Sequence, residues 1–129
     1  MERPRLLLID DEPALAAFVA TAAQECGYLA SVSGDEADFR ARFATEQPDV
    51  VALDLGMPGM DGVELLRFLS DEQFKGPVLI ISGFDRRVLE SAFRLGQALG
   101  LDMAGPLEKP TRLADLETTL QMLKPLAEQ

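Results

Sequence analysis

Three short runs of consecutive apolar residues limit what this chain can fold into: Leu6-Leu7-Leu8-Ile9, Val50-Val51-Ala52-Leu53 and Val78-Leu79-Ile80-Ile81. Each is strand-sized and too short for an ordinary helix. Their apolar residues are continuous rather than alternating, so both faces of each strand must be covered, as in a parallel sheet flanked by helices. A weaker strand is expected at Tyr28-Leu29-Ala30-Ser31-Val32. A fifth, around Met103 to Leu107, is the poorest, because Gly105 and Pro106 interrupt it.

Helical patterns separate these runs. Leu15, Phe18, Val19, Ala22 and Cys26 recur at helical spacing, with Pro13 suited to the first turn. The segment 35–46 is a weaker helix, stopped by Gln47-Pro48. Asp61 and Glu64 have the spacing of a helix start ahead of Leu65, Leu66 and Leu69. Val88, Leu89, Ala92, Phe93 and Leu99 mark a fourth helix ending at Gly100, and Leu113, Leu116, Leu120 and Leu123 a fifth, with Thr111 as its N-cap. The order is (βα)₅ of the α/β class, and right-handed crossovers make it a doubly wound, three-layer sandwich. A length of 129 residues suits one domain over 1–129, with its core at about 4–125.

Composition narrows the chemistry. The 22 acidic against 12 basic residues give a net charge of −10, which disfavours nucleic acid and anionic membrane as direct partners. The only strongly apolar run near the start, Leu6 to Ile9, falls short of the roughly 7–15 residues of a secretory signal, so a cytoplasmic location is expected. A single cysteine, Cys26, rules out an internal disulfide and is expected in the core, while the absence of histidine removes histidine-based triads, zinc-histidine sites and a histidine phosphoacceptor. Carboxylates, hydroxyls, lysine and backbone are what remains.

In doubly wound sheets ligands bind beyond the carboxyl ends of the strands. There the chain carries Asp10, Asp11 and Glu12 after the first strand, Asp54 at the end of the third, Ser82 at the end of the fourth and Lys109-Pro110 after the fifth. Converging carboxylates repel one another unless a cation compensates, and an all-oxygen, partly solvated ligand set suits Mg²⁺. A divalent cation, a carboxylate nucleophile, a hydroxyl and a lysine form a compact phosphoryl-transfer site. Gly83, next to Ser82, leaves room for a phosphoryl group near the backbone.

At these residues the sequence resembles the receiver domain of two-component response regulators. The ordered set is Asp10-Asp11, Asp54 with Met57-Pro58 and Asp61-Gly62, Ser82-Gly83, and Lys109-Pro110, which together span essentially the whole chain. The resemblance implies a flavodoxin-like fold with a five-stranded parallel sheet in the order 2-1-3-4-5. It implies that Asp54 is the phosphoacceptor, fed by a histidine kinase or a histidine phosphotransfer protein. Mg²⁺ would be held by Asp11, by Asp10 through water, by Asp54 and by the carbonyl of Gly56. Lys109 would pair with phosphoryl oxygens, Ser82 would bond to another and act as the switch, and the Lys109-Pro110 bond would be cis. The expected role is a phosphorylation-dependent switch rather than an enzyme with its own substrate. An output domain or target protein would be its further partner, with phosphorylation-dependent dimerisation open. No output segment is expected in this chain, which closes at Gln129.

Two departures bear on that role. Pro106 stands three positions before the lysine, where receivers usually carry the aromatic residue that reports the hydroxyl's movement. Gly56 and Phe84 stand where many receivers have polar side chains that influence hydrolysis, so a longer-lived phosphoryl group is expected. Taken singly, Asp10 and Asp11 could cap the first helix, Asp54 could serve a turn, and Lys109 could be solvated. Asp35, Glu36, Asp38, Glu46, Asp71 and Glu72 are expected to form a solvated face. A degenerate receiver acting as a constitutive scaffold is one alternative. An aspartate-nucleophile phosphatase of the haloacid dehalogenase type is another, but it needs a second aspartate two positions after its nucleophile. Glu12 follows Asp10 at that spacing and Gly56 follows Asp54.

Overall fold

The structure, a computed structural model, describes residues 3–55, 62–82, 86–108 and 111–123. Five strands alternate with five helices: β1 (Arg5–Ile9), α1 (Pro13–Glu25), β2 (Leu29–Ser33), α2 (Glu36–Glu46), β3 (Val50–Asp54), α3 (Gly62–Asp71), β4 (Pro77–Ser82), α4 (Arg86–Ala98), β5 (Asp102–Glu108) and α5 (Leu113–Met122). All the strand pairs are parallel, in the order β2-β1-β3-β4-β5. The doubly wound architecture expected from the apolar runs is the one observed.

Alternate side chains of one strand point to opposite faces, and the core divides accordingly. Leu6, Leu8, Val50, Ala52, Leu79 and Ile81 pack with Ala16, Val19, Ala22, Ala23 and Cys26 of the α1 region and with Leu116 and Leu120 of α5. Leu7, Ile9, Val51, Leu53 and Val78 pack on the other face with Phe39 of α2 and Leu65, Leu66 and Leu69 of α3. Every residue of β3 is buried, as a central strand covered on both sides requires. Cys26 is buried, as expected.

Several local expectations are corrected. Strand β2 runs one residue later than Tyr28–Val32, because Tyr28 turns into the core and donates its hydroxyl to the carbonyl of Leu120, 2.8 Å away. Strand β5, expected to be the poorest, is seven residues long and absorbs the Gly105-Pro106 interruption as a bulge. Leu79 pairs with Ala104 and Ile81 with Leu107, so one extra residue sits on β5. Gly105 has φ +84, a region that favours glycine, and the Gly105–Pro106 bond is cis. Arg112, not Thr111, is the N-cap of α5, and Val88 and Leu113 are nearly half exposed rather than core. The N-cap of α1 is Glu12, so neither Asp10 nor Asp11 takes that place.

The acidic residues around α2 are structural rather than merely solvated. Asp35 caps α2 by accepting from the Asp38 amide at 2.8 Å. Glu36 pairs with Arg40, and Arg42 pairs with both Asp38 and Glu46, each one helical turn away. The hydrogen bond from Arg42 holds the Asp38 carboxyl below its usual range.

Burial pushes the Tyr28 phenol well above its usual value, and the charges of Cys26 and Asp49 add to the effect. The folded chain therefore keeps this proton at pH values where the unfolded chain has lost it. The stability this gives is complete below about pH 10 and falls as pH rises from there toward the folded value. Tyr28→Phe is expected to cost about 1 kcal/mol at neutral pH, through the hydrogen bond to Leu120, and to lose the part of the alkaline decline that belongs to this phenol. Chemical denaturation at pH 7 and above pH 10 measures both, and tyrosinate absorbance reports the titration directly because Tyr28 is the only tyrosine.

Candidate functional site

The strand order places the topological switch between β1 and β3, because the chain moves from β1 outward to β2 and returns to the other side of β1 for β3. Ile9 lies opposite Leu53 in the register, so the next residues, Asp10 and Asp54, emerge side by side at the carboxyl ends of these two central strands. Asp10 is 3% exposed and Asp54 2%, whereas Asp11 is exposed. One carboxylate oxygen from each of Asp10, Asp11 and Asp54 lies within 4.8 Å of the other two. Among the described residues, apart from the Tyr28 phenol and the Cys26 thiol, the buried polar side chains are Asp10, Ser33 and Asp54, and all three lie at this rim, at the ends of β1, β2 and β3.

Local bonds fix the cluster. The Asp10 amide donates to the Ser33 carbonyl at 3.0 Å, tying the end of β1 to the end of β2. The Asp10 carboxylate accepts from the Glu12 amide at 2.9 Å, an Asx turn that orients it just ahead of α1. Pro13 then starts α1, whose positive end lies beside the carboxylates. The Leu55 amide reaches the Ile81 carbonyl at 3.3 Å and carries the β3–β4 pairing past Asp54. Burying two carboxylates beside a third is costly in an apolar fold unless a cation or bonding partners compensate. Such a cluster can hold a hard cation and present a carboxylate as a nucleophile.

The remaining expected positions are distributed as follows. Ser82 ends β4 and pairs in register with Glu108, the last residue of β5. Gly56, Met57-Pro58, Asp61, Gly83, Phe84 and Lys109-Pro110, with the expected cis bond of that pair, lie outside the described residues. Pro106 is exposed on β5, at the bulge.

Sequence reasoning missed the contacts around Glu108. Its carboxylate pairs with Arg86 at the start of α4, with Arg86 Nε 3.1 Å from Oε1, and its carbonyl accepts from the Thr111 hydroxyl at 2.9 Å. Thr111, expected as a cap, bonds backward to β5 instead. No periodicity connects positions 86 and 108, so no sequence signal could have found their pairing.

A groove at the opposite, amino end of the strands, between Phe43, Asp49, Phe74, Gly76 and Met122, contains none of the three clustered aspartates. Buried charge, not concavity, marks the candidate site. Among the described residues no helix is long and apolar enough to cross a membrane.

Comparison with known proteins accounts for this arrangement. The response regulator receiver domain family matches residues 6–121. The chain belongs to that family. It is 37% identical over 81 residues to the transcriptional regulatory protein TrcR of Mycobacterium tuberculosis, covering 63% of this chain and 32% of that protein. It is 33% identical over 120 residues to the transcriptional activator protein PfeR of Pseudomonas aeruginosa, covering 93% of this chain and 37% of that one. Among solved structures, the Francisella response regulator 1452 receiver domain superposes with a TM-score of 0.73 at 29% identity, covering 93% of this chain and 95% of that one. The chemotaxis protein CheY4 of Vibrio cholerae gives a TM-score of 0.79 at 25% identity, with 95% and 99% covered. The receiver fold thus spans nearly all of this chain. The chain in turn spans only about a third of TrcR and of the probable transcriptional regulatory protein TcrX of the same organism.

Proposed function

We propose that this receiver is a phosphorylation switch in which Asp54 accepts a phosphoryl group from a phosphohistidine of a histidine kinase or a histidine phosphotransfer protein. The observation that carries the reading is the pairing of the buried Asp54 with Asp10 and Asp11 at the sheet's switch point. In the transfer a carboxylate oxygen of Asp54 attacks phosphorus in line, the phosphorus–nitrogen bond of the donor breaks, and an acyl phosphate forms. Lys109 pairs with the phosphoryl oxygens, and the hydroxyl of Ser82 donates to one of them. The chain assists its own phosphorylation and acts on no separate substrate.

The donor chemistry fits Mg²⁺, a hard cation that takes oxygen ligands at about 2.0–2.1 Å and keeps several waters. The three carboxylate oxygens, all within 4.8 Å of one another, could share such an ion, with Asp10 acting through water. Asp11, Asp54 and the carbonyl of Gly56 complete the proposed protein ligands. When bound, the ion neutralises charge on the phosphoryl group and on the three carboxylates.

Asp11→Ala is expected to lower Mg²⁺ affinity at least tenfold. In metal-free buffer it should melt no lower than the parent chain and up to about 5 °C higher, since it removes one of three repelling charges from an exposed position. Calorimetric titration with Mg²⁺ and thermal denaturation in chelator test the two statements.

The receiver reading extends over 1–129, in the cytoplasm, with an output domain or target protein as the further partner. The proteins it resembles include transcriptional regulators and a protein-glutamate methylesterase, so family membership leaves the output open. Intact-mass measurement after incubation with acetyl phosphate, with and without Mg²⁺, tests the central claim. A Mg²⁺-dependent gain of one phosphoryl group supports the switch. No gain from acetyl phosphate or from a phosphorylated histidine donor would leave the constitutive scaffold as the function.

A further inference from the structure

Glu108 is held from three sides at the tip of β5. After the bulge at Gly105 and Pro106 only two residues of β5 still pair with β4, Leu107 opposite Ile81 and Glu108 opposite Ser82. A two-residue tip beyond a bulge is weakly fixed by the ladder alone, because the bulge breaks the pairing that would otherwise hold it. Two further bonds converge on it. Arg86 Nε lies 3.1 Å from Glu108 Oε1, and the Thr111 hydroxyl donates to the Glu108 carbonyl at 2.9 Å. The side chains of Arg86 and Glu108 are 74% and 52% exposed, so the pair fills no core space. Its effect is to hold the tip against the first turn of α4.

Lys109 follows Glu108 directly in the chain. We infer that Glu108 is a positioning residue for phosphoryl transfer: its bonds to Arg86 and Thr111 hold the end of β5, immediately before Lys109 in the chain. This rests on the proposed function and adds to it a means of aligning the lysine. A charge that must meet developing phosphoryl oxygens acts in proportion to the fraction of time it is correctly placed. The bulge that removes ladder bonds makes that fraction depend on the two tethers.

Arg86→Gln removes the first tether and Thr111→Val the second, each with little change in volume. Each is expected to slow phosphorylation by acetyl phosphate by roughly two- to fivefold, in keeping with the modest strength of exposed pairs and single hydrogen bonds. Mg²⁺ affinity of the unphosphorylated chain and the melting temperature should stay at parental values, since neither residue belongs to the carboxylate cluster or the core. The charge-swapped double variant Arg86→Glu with Glu108→Arg should recover most of the rate lost in Arg86→Gln. A slower rate beside an unchanged melting temperature and unchanged Mg²⁺ affinity is what a merely structural contact would not produce.

Unchanged or faster phosphorylation in both single variants, parallel loss of Mg²⁺ affinity, or no recovery in the swapped variant overturns the inference while the receiver reading stands. A parent chain that takes no phosphoryl group from acetyl phosphate or a phosphorylated histidine donor, or that keeps its full gain in Asp54→Ala, overturns the reading and this inference together.

Discussion

Asp54→Ala is expected to abolish the Mg²⁺-dependent phosphoryl gain, with the rate of modification falling at least a hundredfold. Three carboxylates share the site, so the assignment has to distinguish among neighbours whose oxygens lie within 4.8 Å of one another. Asp10 is already committed, since it accepts the Glu12 amide at 2.9 Å and closes the turn into α1. Asp11 is exposed, where water competes with a phosphoryl donor. Asp54 is buried at the end of a strand with every residue covered, so its carboxylate is held by a rigid backbone in a partly dry site. Such preorganisation lets a weak nucleophile act in line. Intact-mass spectrometry of the variant, followed by fragmentation of any residual product, decides the matter. Full stoichiometric labelling of Asp54→Ala would move the acceptor to another residue.

The second large effect lies at the other end of the sheet. Gly76→Ala is expected to destabilise the fold by about 3 kcal/mol or more, the upper range for overpacking. A Cβ at Gly76 would lie 2.0 Å from the backbone carbonyl oxygen of Asp49 and 2.8 Å from the Phe74 ring. Asp49 cannot easily retreat: its amide donates to the Arg5 carbonyl at 2.8 Å, and its carboxylate accepts from the Arg5 amide at 2.8 Å. The entry of β3 and the approach to β4 would have to separate. Gly96→Ala makes a useful contrast, because its new Cβ would meet mainly the Met103 side chain, which has three rotatable bonds to turn away. Alanine there also gains about 1 kcal/mol of helix propensity over glycine. Urea denaturation of both variants should therefore show a large loss for Gly76→Ala and a small one for Gly96→Ala. Comparable losses in the two would refute the account.

The central strands and the acidic pair were legible because one pattern carries both. Continuous apolar runs identify strands buried on two faces, and parallel strands place the residues that end such runs along one rim. The strand register then aligns Asp10 with Asp54, which needed no long-range information beyond the expected topology. Legibility failed where a residue's role depends on a contact distant in the chain. Thr111 has the composition of an N-cap, but its hydroxyl finds the Glu108 carbonyl instead. The acids of α2 read as a solvated face because local charge excess does not reveal which arginine each will meet, or that Asp35 would cap the helix. Gly105-Pro106 reads as a strand breaker, whereas the sheet edge has room to accommodate one extra residue.

Pro106 has a consequence for self-association. β5 is an edge strand, and an unbroken edge offers a row of backbone donors and acceptors to any other extended chain. Proline has no N–H to offer, and the adjoining bulge throws the edge out of register, so a strand approaching from solvent finds neither a complete set of partners nor a regular spacing. The proline that interrupts β5 thus guards the sheet against edge-to-edge aggregation.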